Sequence, residues 1–183
     1  MKGIRLETEK DIQLLKAIAK TGFITESMLP LFEITRQRLY QHITSDYIEK
    51  KGVFLIYGTM TNVYTLTEHS KRRMKGDFLI DLYKSDASQL EHDFVLSQIY
   101  MYLSYDEKES WKTETSLSQM YRGSNKTTDG LYISNGGKKI GVEVVTDSYS
   151  KEEVEQKQDF IKNYCDDYIM VHTHRDIEYD IQI

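Results

Sequence analysis

Cysteine, proline and tryptophan each occur once in the 183-residue chain, as Cys165, Pro30 and Trp111. A single cysteine excludes an internal disulfide framework and any zinc site built on clustered cysteines. No run approaches the roughly 18 apolar residues of a membrane-spanning helix. The opening MKGIRLETEKD lacks the apolar centre of a secretory signal. There is no glycine-rich loop of the P-loop type to cradle phosphates. These absences lead to the expectation of a cytoplasmic protein with no membrane partner. His92, His172 and His174 fall on different expected elements, and His-x-His alone is a poor zinc signature, so satisfied or surface histidines are the plainer reading. Cys165 has no convincing catalytic partner and reads as a small buried hydrophobe.

Hydrophobic residues make up 39% of the chain, enough for a core, and tyrosine alone supplies 14 residues. The net charge of −5 is unevenly spread: residues 1–85 hold 14 Lys and Arg against 10 Asp and Glu, and residues 86–183 hold 10 against 19. A basic front and an acidic back suggest two modules with different partners, divided near Lys84-Ser85-Asp86. DNA responds to the potential of one face, so overall acidity does not exclude it.

The stretch that organises the first module is TRQRLYQHITSDYIEKK, residues 35–51, which reads as a recognition helix capped by Thr35. At helical spacing Leu39, Tyr40, Ile43 and Tyr47 gather on one face. Arg38, Gln41 and Ser45 take the other, flanked by Arg36, Gln37, His42 and Thr44. Arg and Gln match guanine and adenine edges bidentately in the major groove. Val53–Tyr57 and Val63–Leu66 read as strands of a hairpin turning through Gly58–Asn62, and Thr67 caps a following helix. The hairpin reads as a wing, with Thr59, Thr61 and Asn62 as candidate DNA contacts. Lys71, Arg72, Arg73 and Lys75 on the next helix suit either phosphate contact or a solvated charged face.

Upstream, residues 7–20 form a first helix with Ile12, Leu15, Ile18 and Ala19 inward, ended by Gly22. A second short helix opens at Thr25, with Leu31 and Phe32 as core anchors and a kink or single turn at Pro30. This succession of helices and hairpin, ending in YTLTEHSKRRM, resembles the winged helix-turn-helix of bacterial DNA-binding proteins.

The second module begins with an amphipathic helix over 87–103, ASQLEHDFVLSQIYMYL. Strands are predicted at Trp111–Leu117, Lys126–Ile133, Lys139–Val145 and Tyr168–Val171, with a further edge over Ile177–Ile183. Asn135-Gly136-Gly137 forms a hairpin turn, and a helix over 150–164 starts at a Ser150–Glu153 capping box. The order α-β-β-β-α-β, with Thr128-Asp129-Gly130 and Gly141-Val142-Glu143-Val144-Val145, resembles the PD-(D/E)XK nuclease fold. That resemblance implies Asp129 and Glu143 as metal ligands, with Glu91 as a supplementary acid and magnesium or manganese as the cation. Hard oxygen ligands suit such ions. The lysine position of the motif is Val145, a departure that removes a catalytic group; Lys151 would have to reach back to replace it.

Winged helix first, nuclease-like domain second and LEHDFVLSQIYMYL between them resemble the replication-relaxation family of plasmid and phage proteins. The expected fold class is therefore α+β, with a winged helix-turn-helix over 1–84 and a non-catalytic nuclease-like domain over 85–183. The resemblance implies a sequence-specific double-stranded DNA-binding protein of a mobile element, acting in replication, mobilisation or transcription control. The acidic second module would meet a replication or conjugation protein, or a second copy of the chain. The alternative is a metal-dependent endonuclease targeted by its winged helix. A third class is an adaptor that binds only proteins.

Overall fold

A computed structural model describes residues 8–124, 126–173 and 180–182 of the chain. Among them the fold is mixed α and β, and two units separate at Tyr102 and Leu103.

The first unit opens with α1, Glu9–Thr21, whose capping box joins Thr8 and Asp11. The helix stops at Gly22, where φ is 96° and the amide donates to the Ile18 carbonyl at 2.8 Å. A side chain there would also strike Ser85, since an added Cβ would lie 2.6 Å from the Ser85 Cβ. Leu14, Leu15 and Ile18 are buried, each contributing about 1.5–3 kcal/mol by leaving water. After the short strand β1, Ile24–Thr25, comes a 3-10 helix, Glu26–Phe32, containing Pro30. Thr25 makes no side-chain cap there, and Leu31 is 45% exposed; Met28, Leu29 and Phe32 face inward instead.

Helix α2 spans Arg36–Thr44 and is capped by Thr35, as expected, but it is much shorter than the predicted 35–51. Asp46 takes a left-handed φ of 60°, and Ile48 opens β2, Ile48–Ile56, opposite Leu66. The pattern IEKKG is compatible with helix or strand, and pairing with β3, Thr59–Leu66, decides it. The hairpin turn is Tyr57-Gly58, with φ of 46° and 72°, rather than the broader Gly58–Asn62. Two left-handed residues suit the right-handed twist of the flanking strands. The sheet order is β1-β3-β2, all antiparallel. Helix α3, Glu68–Gly76, follows the Thr67 cap.

The segment after α3 runs without regular structure to Asp86, pinned where the Tyr83 amide donates to the Ala19 carbonyl at 2.9 Å. Its Tyr83 and Ser85 hydroxyls then donate to Asp93 of α4, Leu90–Tyr102. Val95, Leu96, Tyr100 and Met101 of α4 are buried, and Leu90 and Phe94 pack on Phe23, Ile56 and Val63. The helix predicted to open the second module therefore belongs to the first unit, and the boundary moves from 84/85 to 102/103. Charge reverses at 85, but packing does not break there.

The second unit contains α5, Tyr105–Ser110; β4, Lys112–Thr113; α6, Glu114–Met120; β5, Gly130–Ile133; and β6, Lys139–Thr146. Then come α7, Lys151–Tyr164; β7, Asp167–Thr173; and β8, Asp180–Gln182. The sheet order is β4-β5-β6-β7-β8, antiparallel except for the β6–β7 pair, which α7 connects. The predicted strand Trp111–Leu117 survives only as two residues, because Thr113 accepts the Ser116 amide at 3.2 Å and caps α6. The strand expected from Lys126 starts only at Gly130. Gly130 has a positional reason, since any Cβ would lie 2.1 Å from the Trp111 ring. Central β6 is buried from Ile140 to Val145, and the Ser150–Glu153 capping box forms as predicted. In the expected edge over Ile177–Ile183, Asp180–Gln182 pair with β7; residues 177–179 and 183 lie outside the described residues, as does His174.

Candidate nucleic-acid face and a buried carboxylate–lysine cluster

Nine residues of α2 divide differently from the sequence expectation. Leu39 and His42 are buried, whereas Arg36, Gln37, Tyr40 and Thr44 are exposed, with Thr35 and Ser45 at the two ends. Tyr40, expected in the packed stripe, is 66% exposed. Tyr47 lies beyond the helix, edge-on to His42 and His69.

Arg38 and His42 point inward onto α1. Arg38 Nε and Nη2 donate to Asp11 at 2.8 and 2.6 Å, and Arg38 Nη1 donates to Gln41 Oε1 at 2.9 Å. His42 Nε2 lies 2.9 Å from Asp11 Oδ1. Burial alone would raise the Asp11 carboxyl, but Arg38, Thr8 and His42 outweigh it and hold it well below the usual carboxylate range. Burial pushes the His42 imidazole down, against the pull of Asp11. Arg38 and His42 therefore dock the helix rather than extend from it, and Gln41, half-buried, bonds to Arg38. The outward candidates are Arg36, Gln37, Tyr40 and Thr44.

Arg36 is itself positioned. Its Nε pairs with Glu26 Oε2 at 2.9 Å, while Glu26 Oε1 accepts from Asn62 Nδ2 at 2.9 Å and from the Tyr64 hydroxyl at 2.8 Å. These two hydrogen bonds are the leading causes of a lowered Glu26 carboxyl. Asn62, read as a turn-tip DNA contact, thus lies on β3 and ties the hairpin to the 3-10 helix. Thr59 begins β3, and the Thr61 hydroxyl donates to the Thr59 carbonyl at 3.1 Å. On α3, Lys71 pairs with Glu68 at 2.7 Å and Arg73 lies over the Tyr47 and Phe78 rings, leaving Arg72 and Lys75 as the exposed cations.

In the second unit Asp129, just before β5, and Glu143, on β6, are brought together as expected, and a lysine joins them. It is Lys157, on the inner face of α7, not Lys151, which is exposed at the start of that helix. Lys157 Nζ lies 3.0 Å from Asp129 Oδ1 and 2.6 Å from Glu143 Oε1. Asp129 Oδ2 accepts the Val144 amide at 2.8 Å, and Glu143 Oε2 accepts the Asp129 amide at 3.3 Å. All three side chains are almost wholly buried. Burial would push the Lys157 ammonium down, but Asp129, Glu143 and Tyr149 outweigh it and hold it far above the usual lysine range. The signal for Lys157 was in the sequence, since it interrupts the apolar stripe Val154, Phe160, Ile161 at helical spacing.

A divalent ion does not fit this arrangement. Each of the four carboxylate oxygens already meets a protein donor, and the ammonium lies between the two acids. Glu91 accepts the Tyr57 amide at 3.2 Å within the first unit. Among the described residues, no three His, Cys, Asp or Glu side chains are grouped so as to hold a metal. His92 is buried with Nδ1 3.1 Å from Asp93 Oδ1, a satisfied histidine. Burial raises the half-buried Cys165 thiol to about 11, in keeping with a packing role.

No protein family, curated protein or solved structure matches the chain. No helix among the described residues is long and apolar enough to cross a membrane.

Proposed function

We propose that the chain is a sequence-specific double-stranded DNA-binding protein of a plasmid or phage, acting in replication, mobilisation or transcription control. The observation that carries this reading is the outward face of α2. A short helix sits behind a 3-10 turn and beside a three-stranded hairpin sheet, in the manner of a winged helix. It presents Arg36, Gln37, Tyr40 and Thr44 to solvent while its inner residues lock it to α1. Arg36 and Gln37 are side chains suited to base edges. Arg72 and Lys75 add exposed cations for phosphate.

The acidic second unit, with 10 Lys and Arg against 16 Asp and Glu in residues 103–183, is proposed to meet a replication or conjugation protein or a second copy of the chain. We read it as a nuclease-like fold that does no chemistry on DNA, because its lysine neutralises the two acids. A metal-dependent endonuclease is the second reading, because Asp129, Glu143 and Lys157 bring two acids and a lysine to one place. The deciding experiment selects duplexes from a random pool with the full chain, then measures affinity against salt. Affinity for one sequence that falls steeply with salt is expected. Nicking of supercoiled DNA with magnesium or manganese by wild type, absent in Glu143→Ala and in a mock preparation, would instead establish the endonuclease.

A further inference from the structure

Three large apolar side chains stand together in solvent on the β2–β3 hairpin. Val53 is 48% exposed, Leu55 62% and Met60 67%. Leu55 faces Met60 across the ladder, and Val53 faces Asn62. Directly opposed residues share a face and successive residues alternate. The three therefore lie on the face opposite Phe54 and Ile56, which pack inward with Phe23 and Val63.

That outer face continues toward α2. Asn62 reaches Glu26, and Glu26 holds Arg36. The same face carries Lys50, exposed and opposite Tyr64, whose hydroxyl binds the same Glu26 carboxylate. Beside the apolar cluster two exposed cations, Arg36 and Lys50, surround the single Glu26 carboxylate, so its neighbourhood carries a net positive charge that complements a polyanion. A second copy of the chain suits it poorly, because three side chains fall far short of the roughly 800 Å² per partner of a stable interface. The hairpin is also braced. The Tyr57 amide donates to Glu91, and the Tyr57 ring packs at 6.1 Å on Phe94.

We propose that Leu55 and Met60 form an apolar wedge that enters the minor groove of duplex DNA and partly unstacks one base step, bending the helix. This rests on the DNA-binding reading and adds to it a bent product and a preference at a position without base hydrogen bonds. Apolar wedges of Leu and Met act this way when a rigid element presents them beside backbone-binding cations. The step entered would be a flexible pyrimidine–purine step, where unstacking costs least.

The test uses the full chain on its selected duplex, with end-to-end fluorescence transfer reading the bend. Wild type is expected to bend the site by about 20–90°. At saturating protein the doubly substituted Leu55→Ser, Met60→Ser chain should leave the duplex nearly straight, and should lose the pyrimidine–purine preference. Both positions are exposed, so its circular dichroism and melting should match wild type. Sequence-specific binding by wild type without a bend would overturn the wedge and leave the DNA-binding reading standing. An equal bend by the double variant would overturn the wedge too. Absence of salt-dependent duplex binding would overturn both. Self-association of wild type that the double variant loses, with the DNA straight in both, would assign the patch to a second copy and also overturn the wedge.

Discussion

Each unit buries a network of carboxylate and cation, and the two networks solve different problems. In the first, Asp11 is shared by Arg38 and His42, so a single acid joins α1 to two side chains of α2. Arg38 keeps its side chain 22% exposed, whereas Asp11 and His42 are fully covered. In the second, Asp129 and Glu143 share one ammonium, and all three side chains are within 5% of full burial. The first network orients a helix whose opposite face is free. The second closes on itself, with every carboxylate oxygen hydrogen-bonded or ion-paired. Polar residues on a helix therefore do not by themselves mark a binding face, and acids on neighbouring strands do not by themselves mark a metal site.

The largest effect should come from removing the one cation between two buried acids. Lys157→Met should destabilise the second unit by about 3–5 kcal/mol, the usual consequence of leaving buried charge uncompensated. Trp111, the single tryptophan, is buried in that unit, so its fluorescence during urea unfolding reports the loss directly. Adding Glu143→Gln should restore part of it. A loss under about 1 kcal/mol for Lys157→Met would show that the acids carry no buried charge.

Arg38→Met should cost less, about 2–3 kcal/mol of first-unit stability, because the guanidinium is partly solvated. Asp11→Asn in the same chain should recover much of that loss, and a double-mutant cycle measures the coupling. Arg36→Ala should do the reverse. Its side chain is 83% exposed, so melting should barely change, while specific DNA affinity should fall by about 1–3 kcal/mol, with specificity relaxed at one position. If Arg38→Met relaxes sequence preference while Arg36→Ala does not, the assignment of faces is reversed and wrong.

The smallest effect concerns pH. His42 is lowered on folding, chiefly by burial, so the folded state disfavours its protonated form. First-unit stability should decline as pH falls below about 6.5, where the unfolded imidazole takes up a proton. Asp11 is lowered as well, so its contribution is present above about pH 3.9 and is lost below that as acid titrates the folded carboxyl. Lys157 is raised, so its contribution is complete below about pH 10.4 and is lost only in stronger alkali. Unfolding followed by circular dichroism at pH 7 and pH 5.5 should show the His42 contribution, and His42→Asn should flatten that difference.

The local signals in the sequence were reliable where the chemistry was local. Thr35, Thr67 and the Ser150–Glu153 pair cap helices as read, because a cap needs only a side chain and an amide two or three residues away. The hairpin and buried β6 were legible from alternation and spacing, and the convergence of Asp129 with Glu143 only from the resemblance to a nuclease fold. The length of α2 was not, because Ile48–Lys51 suits either state and only the ladder to β3 selects strand.

The sequence by itself determined an α+β chain, the capped starts of α2, α3 and α7 and the central strand, all set by side-chain periodicity and neighbours close in the chain. Only the tertiary structure decided that Arg38 and His42 face inward, that α4 packs into the first unit and that Lys157 completes the acid pair. Those outcomes rest on contacts between residues 14 to 74 positions apart, such as Lys157 with Glu143, Arg38 with Asp11 and Ser97 with Phe23. A buried charge is stable only where a partner reaches it, and reach across such separations is a property of the folded chain.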